Sequence, residues 1–364
     1  MKIYSISILK FKSIRLLRDF ELRNINVLIG SNGAGKSNFI SFFSFLNQIV
    51  NRRLETYTAK KSGADTFLYF GKKNSSSLVL KIVFETDAGL FYDYTISLEP
   101  TNDEKFIIKN ESARFNPHSN QWQLDDTLPK GIYESHIGNM QQVGIAAWVK
   151  IYLQSFKIHH FHDTSDTAEV KGFSDIQDHH FFREDASNLA AFLYTLSLNY
   201  PQNFNRIEKT VRRIAPFFDR FSLQESQNLK GKIRLEWLEK GSDKSFTAHH
   251  LSDGTLRMVC LITLLLQPNL PNVLIIDEPE LGLHPSALNI LSGLIRSVSN
   301  ESQVIISTQS TSFINQFSPE DIVIVEREDN QSTFKRLNAD DLEDWLEDYT
   351  LGEIWEKNII GGRP

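Results

Sequence analysis

The sequence predicts an α/β fold: a mixed, largely parallel central sheet flanked by helices, with an antiparallel β subdomain and a helical lobe attached. Three patterns point there. The apolar run "INVLIG" leads into a glycine-rich loop and then a helical stretch. Between residues 78 and 115 apolar and polar residues alternate with period two, as half-buried antiparallel strands do. From residue 254 onward apolar runs alternate with helical segments, which implies parallel strands joined by helices.

The elements follow in order. "MKIYSISILKFKSIRLL" sets Ile3, Ser5 and Ser7 against Tyr4, Ile6 and Ile8 and reads as a strand. "KSNFISFFSFLNQIV" places Phe39, Phe42, Phe43, Leu46 and Ile49 or Val50 on one side of a helix. Residues 51–76 are polar, contain Gly63 and Gly71, and read as a surface excursion. In the period-two region, "DAG" at 87–89 supplies a hairpin turn. "GNMQQVGIAAWVKIYLQSF" reads as a helix and "KIHHFHD" as a strand entering a loop. Residues 187–218 hold two helices broken around Pro201, and "KIRLEWLEKG" is a strand. The last third reads helix (254–267), strand (272–279), helix (286–298), strand (302–310) and strand (321–328). No internal repeat, heptad run or low-complexity segment interrupts this order.

Composition narrows the class. The chain has 364 residues, 41% of them hydrophobic and 23% charged, which is ordinary for a folded domain with a sizeable core. A formal net charge of -6 argues against a surface coated with basic charge for nucleic acid, although a local groove is compatible with it. One cysteine, Cys260, excludes an internal disulfide. The N-terminus has no long apolar core ahead of a cleavage site, and "MVCLITLLL" is far too short to span a bilayer. A cytoplasmic protein is the expectation.

Two motifs form halves of one site. Gly30, Gly35, Lys36 and Ser37 fit G-x-x-x-x-G-K-[ST], with a strand before and a helix after. The glycines allow backbone N–H groups to face β-phosphate oxygens, Lys36 reaches the β- and γ-phosphates, and the Ser37 hydroxyl suits Mg²⁺. The helix that follows adds its positive end. In "VLIIDEPELGLHP" an apolar strand delivers Asp277 toward the Mg²⁺ shell and sets Glu278 where an attacking water needs a base. A third stretch, "LSDGTLR", begins a long helix with Ser252 and Gly254, a second anion-binding helix start. One ATP does not need two cradles from one chain, so a natural use is in trans, on nucleotide held by a second copy. The same residues also serve as an ordinary N-cap.

In this order the motifs resemble the ABC-type ATPase heads of the RecF/SMC and OLD-like group, stand-alone AAA family ATPases among them. The resemblance runs over nearly the whole chain, through "ISILKFKSI", "GSNGAGKSN", "LSDGTLR", "VLIIDEPELGLHP", "ISTQS" and "WLEDYTLGEIWEKNIIGGRP". It implies a P-loop NTPase of ABC-ATPase type that hydrolyses ATP with Mg²⁺ as an ATP-sandwich homodimer. Walker A would be Gly30, Ser31, Asn32, Gly33, Ala34, Gly35, Lys36, Ser37 and Asn38. The signature loop would be Leu251 to Thr255, Walker B Asp277, and the catalytic glutamate Glu278. Glu280 to His284 would form the D-loop that speaks across the dimer, and Ser307 to Gln309 the switch.

The chain departs from the group's pattern twice. Many such heads carry His at the switch, where this chain has Gln309; an amide can hydrogen-bond the γ-phosphate or the water but cannot carry a proton in the same way. The usual Q-loop glutamine is not evident; by order His162 or Asp163 stands there, and Gln154 falls a few residues early.

The expected layout is a single domain, 1–364. Within it, 1–165 is the Walker A core with the antiparallel insertion, 166–250 the helical lobe, 251–335 the signature, Walker B and switch core, and 336–364 a tail. The resemblance suggests DNA-linked work, such as DNA repair, or antiviral defence, with a partner effector from a neighbouring gene. A sensor that binds ATP and turns it over slowly is the alternative. A transporter subunit fits less well, because "LSDGT" stands where LSGGQ is usual. A self-contained nuclease would need a metal-binding domain after Glu328, where 36 residues follow (364 − 328). "HHFHD" places His160 and His162 on one strand face, but no partner pair has metal-ligand spacing. Arg206, Lys209, Arg212 and Arg213, with Lys230, Lys232 and Arg234, form either a phosphate-binding patch or a solvated face.

Overall fold

A computed structural model describes residues 1–116, 123–124, 131–139 and 144–363. Along the chain come β1 (Lys2–Phe11), β2 (Ile14–Glu21), β3 (Ile25–Ile29), α1 (Lys36–Val50) and α2 (Leu54–Lys60). Then follow β4 (Leu78–Glu85), β5 (Phe91–Pro100), β6 (Phe106–Asn116), β7 (Gln123–Leu124), α3 (Ile145–Gln154) and β8 (Ile158–His159). The next stretch holds β9 (Ser174–Asp175), α4 (Leu189–Asn199), α5 (Pro201–Ile214), β10 (Phe218–Phe221), β11 (Lys232–Ile233), β12 (Glu236–Glu239) and β13 (Ser245–Thr247). The last third holds α6 (Asp253–Leu266), β14 (Val273–Asp277), α7 (Pro285–Val298), β15 (Gln303–Ser307), α8 (Thr311–Ile314), β16 (Ile322–Glu328), β17 (Gln331–Arg336), α9 (Glu343–Leu346) and α10 (Leu351–Glu356).

The central sheet has the order β17-β16-β3-β15-β14-β8 and is parallel except at β17, which pairs antiparallel with β16. Its strands are apolar nearly throughout because both faces are covered. Period two sorts them. Val27, Ile29, Leu274, Ile276, Val304 and Ile306 face a core shared with α4, α6 and α7. Leu28, Val273, Ile275 and Ile305 face a second core, built with α1, α3 and the antiparallel sheet. The registers Asp277↔Ser307 and Ser307↔Leu28 bring the carboxyl ends of β14, β15 and β3 level. A crevice outside such strand ends is where open α/β sheets bind ligands.

The antiparallel sheet has the order β2-β1-β4-β5-β6-β7. It packs on the aromatic face of α1, where Phe39, Phe42, Phe43 and Phe45 are fully buried. The turn at 87–89 forms with Gly89 at φ 71.

Four expectations need correction. Residues 51–76 are more than a surface excursion: α2 lies there, and Leu54, Ala64, Phe67 and Leu68 are buried, with the Phe67 ring stacked 4.8 Å from Phe45. A few apolar anchors in a polar stretch suffice to dock it. The strand expected at 232–241 is split into β11 and β12, which join different small sheets. The lobe therefore carries a three-stranded sheet, β10-β12-β13, beside its helices. The strand through "HHFHD" stops at His159, so His160 and His162 do not share a strand face. The helix expected over 138–156 spans only Ile145–Gln154; residues 140–143 lie outside the described residues.

Candidate functional site

β3 ends at Ile29, and the glycine-rich loop turns straight into α1. Gly30 has φ 151, Gly33 φ 80 and Gly35 φ 121, a region costly for other residues. Two of the three also lack room. A Cβ on Gly30 would run into the Val325 carbonyl of β16, and one on Gly35 into the Ser332 hydroxyl of β17. Ser332 donates to the Ala34 carbonyl and lies 2.7 Å from the Ser13 hydroxyl, which accepts from the Asn38 amide at 2.7 Å. Asn38 thus braces the loop from inside the fold. Ser37 and Asn32 are exposed, Ser31 is half-buried, and Ala34 is buried.

Lys36 is buried, and its ammonium donates to the carbonyls of Gly30 (2.5 Å) and Ser31 (3.2 Å). Burial pulls its pKa below the ordinary lysine value; the nearby Glu278, Asp277 and Glu280 oppose that pull. A cation held this way, facing three carboxylates, is poised for an anionic ligand that brings its own cation. Ser13 and Asn38 also line an open cavity of about 460 Å³ beside the loop, with Lys12, Thr66, Phe70 and Arg327.

Asp277 is the last residue of β14, and its carboxylate accepts from the Ser307 hydroxyl on β15. Glu278 sits at φ 44, a left-handed conformation that costs a non-glycine residue about 1–3 kcal/mol. Its backbone N–H is fixed to the Ser307 carbonyl at 3.0 Å. The Gln309 side-chain amide donates to its carboxylate. Gln309, singled out from the sequence as the switch residue, therefore touches the residue singled out as the base.

Ser252 caps α6: its hydroxyl accepts from the Thr255 N–H at 3.2 Å. It remains exposed, so the capping role and an external ligand are compatible. Gly254 packs against the backbone of Gly282, leaving no room for a side chain. Arg257, one turn on, donates to the carbonyls of Leu281 (2.9 Å), Phe161 (3.1 Å) and His162 (2.9 Å). One guanidinium ties α6 to the loop after β14 and the loop after β8. "LSDGTLR" contains this residue, but its partners lie 24 to 96 positions away and leave no local signal.

Of the Q-loop candidates, His162 reaches the Asp277 backbone carbonyl through Nε2 at 3.0 Å. Asp163 accepts from Ser165 in a local turn. Gln154 lies at the end of α3 and donates to Asn51. In the stretch expected to be a D-loop, Glu280 points inward, and His284 caps α7 through Nδ1. Among the described residues no group of three or more His, Cys, Asp or Glu comes together as metal ligands do. In the basic set, Arg212 pairs with Glu208, Lys232 with Asp175 and Arg234 with Glu236. Arg206, Lys209 and Arg213 are exposed on α5. Among the described residues no helix is long and apolar enough to cross a membrane.

A family model described as "AAA domain, putative AbiEii toxin, Type IV TA system" matches residues 25–315. Structural maintenance of chromosomes protein 1 of Schizosaccharomyces pombe is 26% identical over 128 residues, covering 32% of this chain and 10% of that protein. The chain thus matches only a tenth of that relative's length. Two solved structures share the fold. A Smc head bound to the C-winged helix domain of ScpA has a TM-score of 0.62 at 15% identity, over 94% of this chain and 100% of that one. A Smc head domain with an extended coiled coil bound to the C-terminal domain of ScpA, derived from Pyrococcus furiosus, has a TM-score of 0.58 at 14% identity, over 95% and 98%.

Proposed function

The chain belongs to the AAA-domain family whose model spans residues 25–315, and from that premise we propose that it is a Mg-ATP-driven dimerising switch. The observation that carries the reading is the glycine cradle closed on Lys36, with Asp277 and Glu278 delivered to the same strand ends. In this reading the loop from Gly30 to Asn38 holds the triphosphate, and ribose and base extend into the cavity lined by Lys12 and Phe70. Lys36 leaves its two carbonyl partners for the β- and γ-phosphates. Ser37 and Asp277 are the residues that would hold Mg²⁺, which supplies charge neutralisation at the phosphate oxygens when bound. Glu278, steadied by Gln309, orients the attacking water and accepts its proton.

Ser252 and Gly254 of a second copy close over the γ-phosphate, so that ATP joins two chains and hydrolysis parts them. The exposed start of α6 supports this. The subdivision at residues 165, 250 and 335 belongs to the same proposal. So does a separate effector, for which the toxin–antitoxin wording of the family and the ScpA-bound Smc heads are the support. A DNA partner would meet the exposed cations of α5.

The test is ATP turnover and mass in solution for wild type and Glu278→Gln. A variant that loses roughly 100-fold or more in phosphate release, while ATP traps it as a dimer, supports the reading. Binding without turnover in wild type favours a slow sensor. Monomers under every condition would remove the switch.

A further inference from the structure

Glu280 is the polar side chain of this region that the proposed chemistry leaves unused. It is 9% exposed. Its Oε1 accepts from the Thr308 hydroxyl at 2.5 Å and from the Gln309 backbone N–H at 3.1 Å. Its Oε2 is buried with no hydrogen-bond partner among the described residues. Burial pushes its pKa up, against the Thr308 hydroxyl and the Gln309 N–H that favour the anion. A buried carboxyl oxygen without a partner is a cost to folding, set against the two hydrogen bonds that Oε1 accepts.

Its partners lead to the reacting centre. Gln309 gives its backbone N–H to Glu280 and its side-chain amide to Glu278, so one residue spans two carboxylates. The Thr308 backbone N–H is tied to the Leu28 carbonyl of β3 at 3.0 Å, just before the phosphate loop. Glu280 fixes both Thr308 and Gln309 from a side chain two residues past Glu278. Without it the Gln309 amide would be free to swing, and the Glu278 carboxylate would lose its tether.

We infer that Glu280 is a positioning residue for ATP hydrolysis, locking Thr308 and Gln309 so that Gln309 holds the Glu278 carboxylate on the attacking water. The inference rests on the hydrolysis reading above. It gives Glu280 a task within its own chain, in place of a contact across a dimer.

Two substitutions separate acceptor from bulk. Glu280→Gln keeps an acceptor at Oε1, and Glu280→Met fills the space without one. Phosphate release, binding of a fluorescent ATP analogue and thermal unfolding are measured on the full chain, with Glu278→Gln as reference. Glu280→Met is expected to fold, to bind the analogue within about twofold of wild type, and to lose roughly tenfold or more in kcat. Glu280→Gln should recover most of that loss. Unchanged kcat in Glu280→Met overturns the inference. So does an equal loss in both variants, which would make the ionisable group itself the requirement, or a loss confined to nucleotide affinity, which would make Glu280 a prop for the loop. If Glu280→Met does not fold, a Glu280→Gln with wild-type folding but kcat down tenfold overturns it as well. Wild type that releases no phosphate defeats the hydrolysis reading, and the inference falls with it. Turnover abolished by Glu278→Gln but indifferent to residue 280 defeats the inference alone.

Discussion

Gly254, at the start of α6, lies so close to the carbonyl of Gly282 that no side chain fits between them. Gly282 itself sits at φ 70, where an added Cβ would meet Arg257 Nη1 at 2.6 Å. The contact sets the distance between α6 and the loop after β14. Gly254→Ala and Gly282→Ala should each destabilise the chain by about 1–3 kcal/mol in equilibrium unfolding. Each parts the same two elements, so the double variant should lose less than the sum. Full additivity would show that they do not act on one contact.

Lys36 predicts a split between stability and binding. Its ammonium is buried on loop carbonyls, a state with a desolvation cost. Lys36→Met should unfold at the same or a higher midpoint without nucleotide. ATP at 100 times its Kd should stabilise wild type by about 2.7 kcal/mol and this variant by almost nothing. A thermal shift that survives the substitution would remove Lys36 from the site.

The tail reaches the loop from behind. Trp355 is fully buried and donates to the Gly362 carbonyl at 2.9 Å, while the Gly362 N–H donates to Glu326 on β16 at 2.7 Å. A Cβ on Gly362 would lie 3.6 Å from the Gly30 Cα. Gly362→Val, placed at φ 67 and against Ile324, should cost about 1–3 kcal/mol and raise the Kd for ATP several-fold. Isothermal titration measures the second effect; unchanged affinity would make the tail a brace for β16 alone.

His159 gives a pH dependence. Burial, with Lys157 and His160 nearby, lowers its pKa to about 3. The unfolded chain takes up that proton near the ordinary histidine value of about 6.5, so it binds more protons than the native state in between. Stability is fully present above about pH 6.5 and falls as pH drops toward 3, by at most about 1.4 kcal/mol per unit from this group. His159→Leu should flatten that stretch of the acid-unfolding profile relative to wild type. Identical slopes would show that other groups carry it.

Much of the fold was legible because its signals are local. Leu274 and Ile305 lie in short apolar runs between helical segments and Val27 in one that enters a glycine-rich loop, and run length with flanking residues assigns them. The glycine-rich loop was legible because its glycines and Lys36 fall within eight residues. What stayed hidden depends on residues far apart in sequence. Ser13 and Ser332 meet across 319 positions, and nothing near either suggests the other. Glu280 was expected only as part of a loop that speaks across a dimer, since the inward turn of its side chain is decided by Thr308 and Gln309. The docking of residues 51–76 was hidden for a related reason: Phe67 is one aromatic in a polar stretch, and its partner is Phe45 on another element.

The meeting of Gly30 and Gly362 has a consequence for how the chain is made. Gly30 is made well before the β15 and β16 strands that flank β3, and before the glycine that backs the loop. With the two glycines 332 positions apart (362 − 30), synthesis at about 5–20 residues per second leaves an interval of roughly 15–65 s. For most of it β3 waits with both edges unpaired, and the loop after it lacks the backing it has in the finished fold. The strand most exposed to mispairing in that interval is the one that ends at the glycine-rich loop.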